Sequence, residues 1–360
     1  MRWKSYRGGG DERVGSLMNK VLILKLDHIG DMLWAFPAVR AISEGAPGSE
    51  LHLLCTPYTR EAGNRMPGIS KVYTYDAHET FNQKTERIRE LREQKYNLAV
   101  VMGPCDKVNY LAWLSGAKRR IGYSLVGKPI HRITNRLFMT RSLMHPADSA
   151  QRLGKPLPHE VSALCMLATE IGVPAPARPR MEFPILESER ESIGGMLDML
   201  PGAGSSLIGV QLCSKAFKNG WLGEDFFGLL SDLRSTFKDY TVIVCAGPLE
   251  MQYVSAHTSD FENAQLPVMS GLSLGETAAL IERLSLLVSW DTGVVHLATA
   301  VGTPVVDVFP SVGYDYCVQR WGPWQGDFVT LEQDADRLDG TTRARIIAAS
   351  KKLLDLHAEK

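Results

Sequence analysis

Eight short runs rich in Val, Ile and Leu, separated by helical segments, constrain the fold of this chain most strongly. The runs lie at 20–26, 50–55, 71–76, 97–103, 206–213, 240–247, 286–291 and 304–310. The spacing of apolar residues between them predicts helices at 33–45, 85–94, 159–172, 224–236, 275–284 and 294–301. Apolar strands that alternate with helices are typical of parallel sheets covered on both faces. The sequence therefore predicts an α/β protein with Rossmann-like domains.

The chain is long enough for two such domains. Its 360 residues exceed the usual size of one hydrophobic core. Four prolines between 174 and 184 separate the first four strands from the last four, and they favour an extended linker. The segments we predict are a disordered tail over 1–17, an N-terminal domain over 18–180, a C-terminal domain over 181–345 and a terminal helix over 346–360.

Composition and charge exclude several classes of protein. Lys+Arg and Asp+Glu each number 40, so no overall field attracts the chain to nucleic acid. No stretch has the 18 or so apolar residues of a membrane span, and the N-terminus lacks the apolar segment of a secretory signal. The six cysteines lie far apart and fit free thiols in a reducing compartment better than disulfides or a metal site. We expect a cytoplasmic protein that binds no nucleic acid.

The segment "VLILKLDHIGDMLWAFPAVRAI" at 21–42 places charged groups where the first strand turns into a helix. Asp27, His28 and Asp31 lie around Gly30 at this junction. Ligands of open α/β sheets bind outside the carboxyl ends of strands. Asp31 fits two roles here, a cap of the helix and a catalytic group.

A second strand-to-helix junction lies within "SWDTGVVHLATAVGTPVVDVFP" at 289–310. The residues of its turn and first helical turn are Asp291, Thr292, Gly293, Val294 and His296. Unpaired N–H groups and the positive end of the helix dipole favour a diphosphate at such a place. The same pattern also fits an ordinary capped helix with His296 as a half-buried filler.

Two more loops follow strands of the second half. "CSKAFKNGW" at 213–221 carries Ser214, Lys215 and Lys218, and two lysines can neutralise a leaving diphosphate without a metal. A polar surface loop would have the same composition. Glu250 follows a Gly-Pro turn after another strand, and it fits either a nucleoside contact or a favourable charge at the start of a helix.

Basic residues dominate one part of the first half. Asp106 and Lys107 follow the fourth strand, and from 107 to 144 there is no acidic residue but eight Lys or Arg, among them Arg119 and Arg120. Such a run is often only a solvated face. In the same half as the first motif, it also fits an anionic acceptor or an anionic membrane surface.

With these motifs in this order, the chain resembles glycosyltransferase family 9, the bacterial heptosyltransferases of lipopolysaccharide core and their relatives. The segments that carry the resemblance are "ILKLDHIGDMLWAFPAVRAI", "GAKRRIGY", "CSKAFKNGW" and "DTGVVHLATAVGTPVVDVF". The resemblance implies the GT-B fold, in which two Rossmann-like domains face a cleft. It also implies an inverting, metal-independent transferase that moves heptose from ADP-heptose to a hydroxyl of lipopolysaccharide core or a related surface glycan.

The resemblance assigns roles to individual positions. Asp31 falls where the family has its general base. The donor-binding residues are then Ser214, Lys218, Glu250, Asp291, Thr292, Gly293, Val294 and His296, together with Lys215 of the same loop. The acceptor contacts are expected at Asp27, His28, Gly30, Asp106, Lys107, Arg119 and Arg120. The implied partners are a nucleotide sugar and an anionic glycolipid or glycan, with no metal or further cofactor and with peripheral contact at the inner membrane.

Two other classes of function stay open on the same fold. One is another sugar-nucleotide enzyme, such as an epimerase, or a nicotinamide enzyme, although neither half carries G-x-G-x-x-G. The other is a non-catalytic relative that binds a nucleotide sugar. Product formation without an acceptor would identify the epimerase, and a complete lack of turnover would identify the binding protein.

Overall fold

A computed structural model describes residues 18–125, 127, 129–200, 204–214, 223–333 and 340–358. These residues form two units that divide between Pro179 and Arg180. The division lies in the proline-rich segment at 174–184, where proline removes backbone donors that a helix or a sheet needs. The tail predicted over 1–17 lies outside the described residues.

The first unit is a parallel α/β sheet, described from residue 18 with short gaps. Its strands are β1 (Lys20–Leu24), β2 (Glu50–Cys55), β3 (Ile69–Thr74), β4 (Leu98–Val101), β5 (Arg119–Ser124) and β6 (Arg141–Met144). Its helices are α1 (Ile29–Gly45), α2 (Arg60–Asn64), α3 (Phe81–Glu93), α4 (Asp106–Leu114), α5 (Pro129–Phe138), α6 (Pro146–Arg152) and α7 (Glu160–Thr169), with a 3-10 turn at Pro57–Thr59. The strand order is β3-β2-β1-β4-β5-β6, and neighbouring strands are parallel.

The order of this sheet reverses between β1 and β4. Val21 of β1 lies opposite Leu51 on one side and opposite Leu98 on the other. The chain leaves this central pair in opposite directions, so a crevice opens outside the carboxyl ends of the two strands. The loops at 25–28 and 102–105 therefore meet where open α/β sheets bind their ligands.

The second unit has the same strand order. Its strands are β7 (Ser206–Leu212), β8 (Tyr240–Ala246), β9 (Val268–Met269), β10 (Leu284–Trp290), β11 (Val305–Pro310) and β12 (Phe328–Gln333). Its helices are α8 (Glu187–Asp198), α9 (Gly223–Thr236), α10 (Met251–Ala256), α11 (Thr258–Asn263), α12 (Leu274–Glu282), α13 (Gly293–Val301), α14 (Tyr314–Trp321) and α15 (Gly340–Ala358), with a 3-10 turn at Pro248–Glu250. The parallel order β12-β11-β10-β7-β8-β9 places the reversal between β7 and β10.

Strands β5, β6, β9 and β12 were not predicted from the sequence. β5 and β6 begin with arginine, and β6 is largely exposed at the edge of its sheet, so neither shows a continuous apolar run. β9 has two residues, which is too short for any periodicity. β12 is half-buried along most of its length and mixes polar and apolar residues at the other edge.

The terminal helix begins earlier than predicted. It was expected over 346–360, where apolar spacing becomes regular, but α15 begins at Gly340. Thr342 is already buried, and Ala344 and Arg345 are good helix formers, so the helix extends before its first buried apolar residue, Ile346.

The central strands of both sheets are buried on their two faces. In β1, the residues at 21–24 have no exposed surface, and the described part of the second unit has its own cluster around β7 and β10. All six cysteines are free, as their spacing predicts. Among the described helices, none is both long and apolar enough to cross a membrane. Buried strands of this kind hold the loops at their carboxyl ends in fixed positions.

Candidate functional site

A buried lysine organises the loop that follows β1. The side chain of Lys25 is 3% exposed, and its Nζ lies 2.8 Å from Oδ2 of Asp27. The same Nζ donates to the carbonyl oxygen of Met102, just after β4, at 3.1 Å. The backbone N–H of Lys25 donates to the carbonyl oxygen of Leu54 in β2 at 3.0 Å. Lys25 therefore joins three neighbouring strand ends and holds Asp27 in place.

Lys25 keeps its charge in this environment. Burial lowers its pKa, but the carboxylates of Asp27, Asp31 and Glu160 together outweigh burial, and the net pKa of Lys25 is raised. An ammonium group therefore remains beside the carboxylates of Asp27 and Asp31 at neutral pH.

Asp31 lies in the first turn of α1, three residues after the N-cap residue. The N-cap residue is His28, whose backbone is extended and whose side chain makes no cap hydrogen bond. The carboxylate of Asp31 accepts a hydrogen bond from the backbone N–H of His28. Asp31 thus stabilises the start of the helix, which is one of the two roles that the sequence left open.

The environment of Asp31 also changes its acidity. Burial is the largest effect and raises the pKa of the carboxyl, and the negative charge of Asp27 raises it further. Lys25, His28 and the backbone hydrogen bond lower the pKa, but the net pKa is raised. A raised pKa makes the carboxylate a stronger base than an exposed aspartate, which is the property that a general base needs.

Glycine is required beside Asp27. A Cβ added at Gly103 would lie 2.2 Å from Oδ2 of Asp27 and 3.0 Å from its carboxyl carbon. A larger residue at 103 would displace this carboxylate from Lys25. The close approach of the loop after β4 to the loop after β1 therefore depends on the absence of a side chain. The predicted Gly30 is buried in the first turn of α1.

Asp106 follows the carboxyl end of β4, as expected, and also connects two helices. Its Oδ1 accepts a hydrogen bond from Oγ1 of Thr134 at 2.6 Å and lies 3.0 Å from Nδ1 of the buried His131. These contacts join the start of α4 to α5. His131 gave no signal in the sequence beyond being one polar residue in a basic run. The neighbouring Lys107 places its Nζ 4.6 Å from the ring centroid of Tyr75.

Arg119 and Arg120 lie at the opposite edge of the sheet. They begin β5, which is parallel to β4, and Arg119 lies opposite Leu98 at the amino end of β4. Arg120 also donates from Nε to the carbonyl oxygen of Phe138 at 2.6 Å. The structure therefore separates both arginines from the edge that carries Asp31, and their expected contact with the acceptor is not retained.

In the second unit, Gln211 joins the carboxyl ends of β7 and β10. Its buried Oε1 accepts hydrogen bonds from Oγ1 of Thr292 at 2.8 Å and from Oγ of Ser289. Thr292 is the N-cap residue of α13, but its side chain makes no cap hydrogen bond. The hydroxyl of Thr292 points to Gln211, so it accepts no hydrogen bond from the first N–H groups of the helix. Sequence reasoning missed Gln211 because one polar residue in an apolar strand carries no motif.

The other residues of this turn continue directly into α13. Asp291 and Gly293 are half-buried, and the N–H of Asp291 lies 3.4 Å from the carbonyl oxygen of Val308. Val294 lies in the first turn of α13, and His296 is buried rather than half-buried as expected. The positive end of the α13 dipole therefore lies at the switch point of this sheet.

A buried carboxylate joins the loops after β7 and β8. Oε1 of Glu250 accepts a hydrogen bond from the backbone N–H of Ser214 at 2.9 Å, and Glu250 ends a 3-10 turn. The other predicted residues of the first loop, Lys215 and Lys218, lie outside the described residues. In the part of the chain that is described, no three His, Cys, Asp or Glu side chains form a group that could hold a metal ion.

Comparisons with known proteins agree with these observations. The model of glycosyltransferase family 9 (heptosyltransferase) matches residues 85–330, which is more than half of the chain. The chain is 24% identical over 289 residues to the lipopolysaccharide core heptosyltransferase OpsX of Haemophilus influenzae, covering 80% of this chain and 78% of that protein.

Solved structures share the fold. The ADP-heptose lps heptosyltransferase II of Escherichia coli has a TM-score of 0.75 at 16% identity, covering 95% of this chain and 100% of the other. The Escherichia coli heptosyltransferase WaaC, solved with ADP-2-deoxy-2-fluoro heptose, has a TM-score of 0.68 at 17% identity, covering 92% and 99%. These similarities confirm the predicted GT-B type of α/β fold with two domains.

Proposed function

The chain belongs to glycosyltransferase family 9, and from this premise we propose that it is an inverting transferase that moves heptose from ADP-heptose to a hydroxyl of a lipopolysaccharide-core glycan. The family makes it a glycosyltransferase. The choice of donor is supported by the related Escherichia coli enzyme that was solved with an ADP-heptose analogue. The choice of acceptor is supported by the relative from Haemophilus influenzae that is named for lipopolysaccharide core.

Asp31 is the general base in this proposal. The acceptor hydroxyl gives its proton to the Asp31 carboxylate while its oxygen bonds to the anomeric carbon of the donor. The bond from that carbon to the diphosphate oxygen breaks, and the diphosphate leaves with the electron pair, so one displacement inverts the configuration. A placed base of this kind is typically worth ~10²–10⁴-fold in rate. The observation that carries the assignment is the place of Asp31, which lies half-buried in the first turn of α1 beyond the carboxyl end of β1, where desolvation raises its pKa.

The remaining acceptor contacts follow from the loop around Asp31. Asp27, His28 and Gly30 lie within four residues of the base, and Lys107 follows the neighbouring strand. Lys25 is a positioning residue in this proposal, because its ammonium group holds Asp27 and lowers the pKa of Asp31 without having an exposed surface of its own.

The donor is bound by the second unit. The N–H groups of Gly293 and Val294 and the dipole of α13 stabilise the leaving diphosphate. We assign Lys215 and Lys218 to the same charge, on the basis of the family resemblance. Proposed contacts with the nucleoside or the sugar are Ser214, Glu250, Asp291, Thr292 and His296. This arrangement needs no metal and no further cofactor.

The proposal is tested by incubating the protein with ADP-heptose and a core glycan acceptor. We expect one glycosylated product for each ADP released, no product without acceptor, and inverted anomeric configuration by NMR. UDP- and GDP-sugars serve as control donors. A donor at ~100 times its Kd adds about 2.7 kcal/mol of stability, so thermal shift identifies the nucleotide independently. A sugar product formed without acceptor, or retained configuration, would contradict the proposal.

A further inference from the structure

Helix α5 presents its apolar side to the surface and its polar side to the protein. Ile130, Ile133 and Leu137 are 69%, 60% and 67% exposed. His131 and Asn135, on the opposite side of the same helix, are 2% and 1% exposed. A helix on the surface of a globular protein normally has the reverse arrangement. Three large aliphatic side chains are thus left in water on one side of a ten-residue helix.

Hydrogen bonds fix this orientation. Nδ2 of Asn135 donates to the carbonyl oxygen of Tyr123 at 3.0 Å. His131 and Thr134 both contact Oδ1 of Asp106 in α4, at 3.0 and 2.6 Å. Rotating the helix to bury its apolar side would break these hydrogen bonds, and a buried polar group that loses its partner costs free energy. The exposed apolar side is therefore a stable feature of the fold.

Aromatic residues of α4 extend the same exposed surface. Tyr110 and Trp113 are 44% and 46% exposed, and their rings stack with centroids 5.8 Å apart. Phe138 at the end of α5 contacts both rings, with centroid distances of 5.4 and 5.6 Å. We call the exposed side chains of Tyr110, Trp113, Ile130, Ile133 and Leu137 the α4–α5 face. Tyr and Trp are the residues preferred at the boundary between lipid and water.

Apart from Asp106 at the start of α4, the charged residues of α4 and α5 are basic. The chain from 107 to 144 contains no acidic residue, although its overall charge is zero. Arg132 and Arg136 are exposed on α5. Within the described residues, neither arginine forms an ion pair. Two copies of the chain meeting through this face would bring these arginines together, which disfavours a symmetric dimer. A surface that has negative charges above an apolar layer would complement both the arginines and the exposed aliphatic side chains.

We propose that the α4–α5 face docks on the anionic surface of a phospholipid bilayer. Ile130, Ile133 and Leu137 enter the boundary between headgroups and acyl chains, while Arg132 and Arg136 contact the headgroup phosphates. Short amphipathic helices with basic residues bind membranes in this way. Only the role of this docking rests on the proposed function: it would bring the enzyme to a membrane-anchored glycolipid acceptor.

The docking is tested by flotation of the full chain with lipid vesicles. We expect binding to vesicles of phosphatidylcholine mixed with phosphatidylglycerol, little binding to phosphatidylcholine alone, and weaker binding at high salt, since salt screens exposed charges. The triple variant Ile130→Ser, Ile133→Ser, Leu137→Ser loses the inserted apolar side chains, so its affinity for the mixed vesicles should fall at least ~tenfold. Equal binding of the variant and the unchanged chain would overturn the proposal.

A matched control replaces exposed apolar residues outside this face. The triple variant Leu153→Ser, Met166→Ser, Met199→Ser should bind vesicles like the unchanged chain, since these residues are also exposed. Transfer to a deacylated, water-soluble acceptor should be the same in both triple variants, so a failure of docking is distinguished from a failure of the proposed reaction. Equal binding to neutral vesicles, or a dimer that the first variant abolishes without any vesicle binding, would also overturn the proposal.

Discussion

The acidity of the proposed base depends on a residue that does not touch solvent. Lys25 is held between Asp27 and the carbonyl oxygen of Met102, and its charge lowers the pKa of Asp31 while burial raises it. The two effects set the pH range in which the Asp31 carboxylate is free to accept a proton. Lys25 thus acts on the reaction through Asp31.

Replacing Lys25 by methionine should move the pH profile. Without the ammonium group the pKa of Asp31 rises further, and activity is lost as the pH falls through that pKa, so the acidic limb of kcat/KM should move to higher pH. Lys25→Arg keeps the charge and should leave the limb close to its original position. A profile for Lys25→Met that is unchanged, or displaced to lower pH, would show that Asp31 is not the titrating group.

The sequence predicted some of these residues and missed others for a physical reason. Asp27, His28 and Asp31 interrupt an apolar run at a strand end, so position alone made them candidates. Lys25 looks like the polar end of the same strand, and only the neighbouring strands reveal that its ammonium group is buried. Asp27 is only two residues from Lys25, but the burial of the ammonium group depends on contacts with Leu54 and Met102, which are distant in the chain and which local spacing does not reveal.

At the scale of elements, Gln211 joins two strands that are far apart in the sequence. Its Oε1 accepts from Ser289 and Thr292, so it holds the turn before α13 against the end of β7. In the proposed function this turn binds the diphosphate. Its geometry therefore depends on one amide oxygen.

Gln211→Met should weaken nucleotide binding. The buried hydroxyl of Ser289 and the half-buried hydroxyl of Thr292 lose their shared acceptor, which costs ~1–3 kcal/mol. The looser turn should raise the Kd for ADP about tenfold. Gln325→Met is the control, because Gln325 bonds the backbone of Met181 and the carbonyl oxygen of Thr299 instead. Calorimetry should find lower stability in both variants and weaker ADP binding only in the first. Unchanged ADP affinity in Gln211→Met would contradict this role of the turn.

Strands were predicted where burial on both faces leaves a continuous apolar run. β1, β2, β7 and β8 are of this kind. β5, β6 and β12 lie towards the edges of their sheets and carry polar residues, so their existence follows from pairing with a neighbour. The strand order was not predicted at all, because it is a property of contacts between distant segments.

At the scale of the whole molecule, both units place their functional residues at the same topological position. Each sheet reverses its order between its first and fourth strands. Asp31, Ser214 and Asp291 follow such strands, whereas Glu250 follows the second strand of its sheet. The alternation of apolar runs with helical segments predicted two Rossmann-like domains, and four prolines predicted the boundary between them. The sequence did not predict which strand ends would be neighbours, and so it grouped Arg119 and Arg120 with Asp31 although they lie at opposite edges.

The central claim is that Asp31 is the base of a glycosyl transfer, and Asp31→Asn tests it most directly. Because burial raises the pKa of Asp31, its ionised form destabilises the folded state at neutral pH, so the neutral amide should leave the Tm at pH 7 equal or higher. The donor groups lie in the other unit, so the Kd for ADP should not change. Single-turnover transfer from ADP-heptose should fall ~10²–10⁴-fold. Unchanged transfer, or a loss of transfer accompanied by equal losses of ADP affinity and Tm, would contradict the assignment.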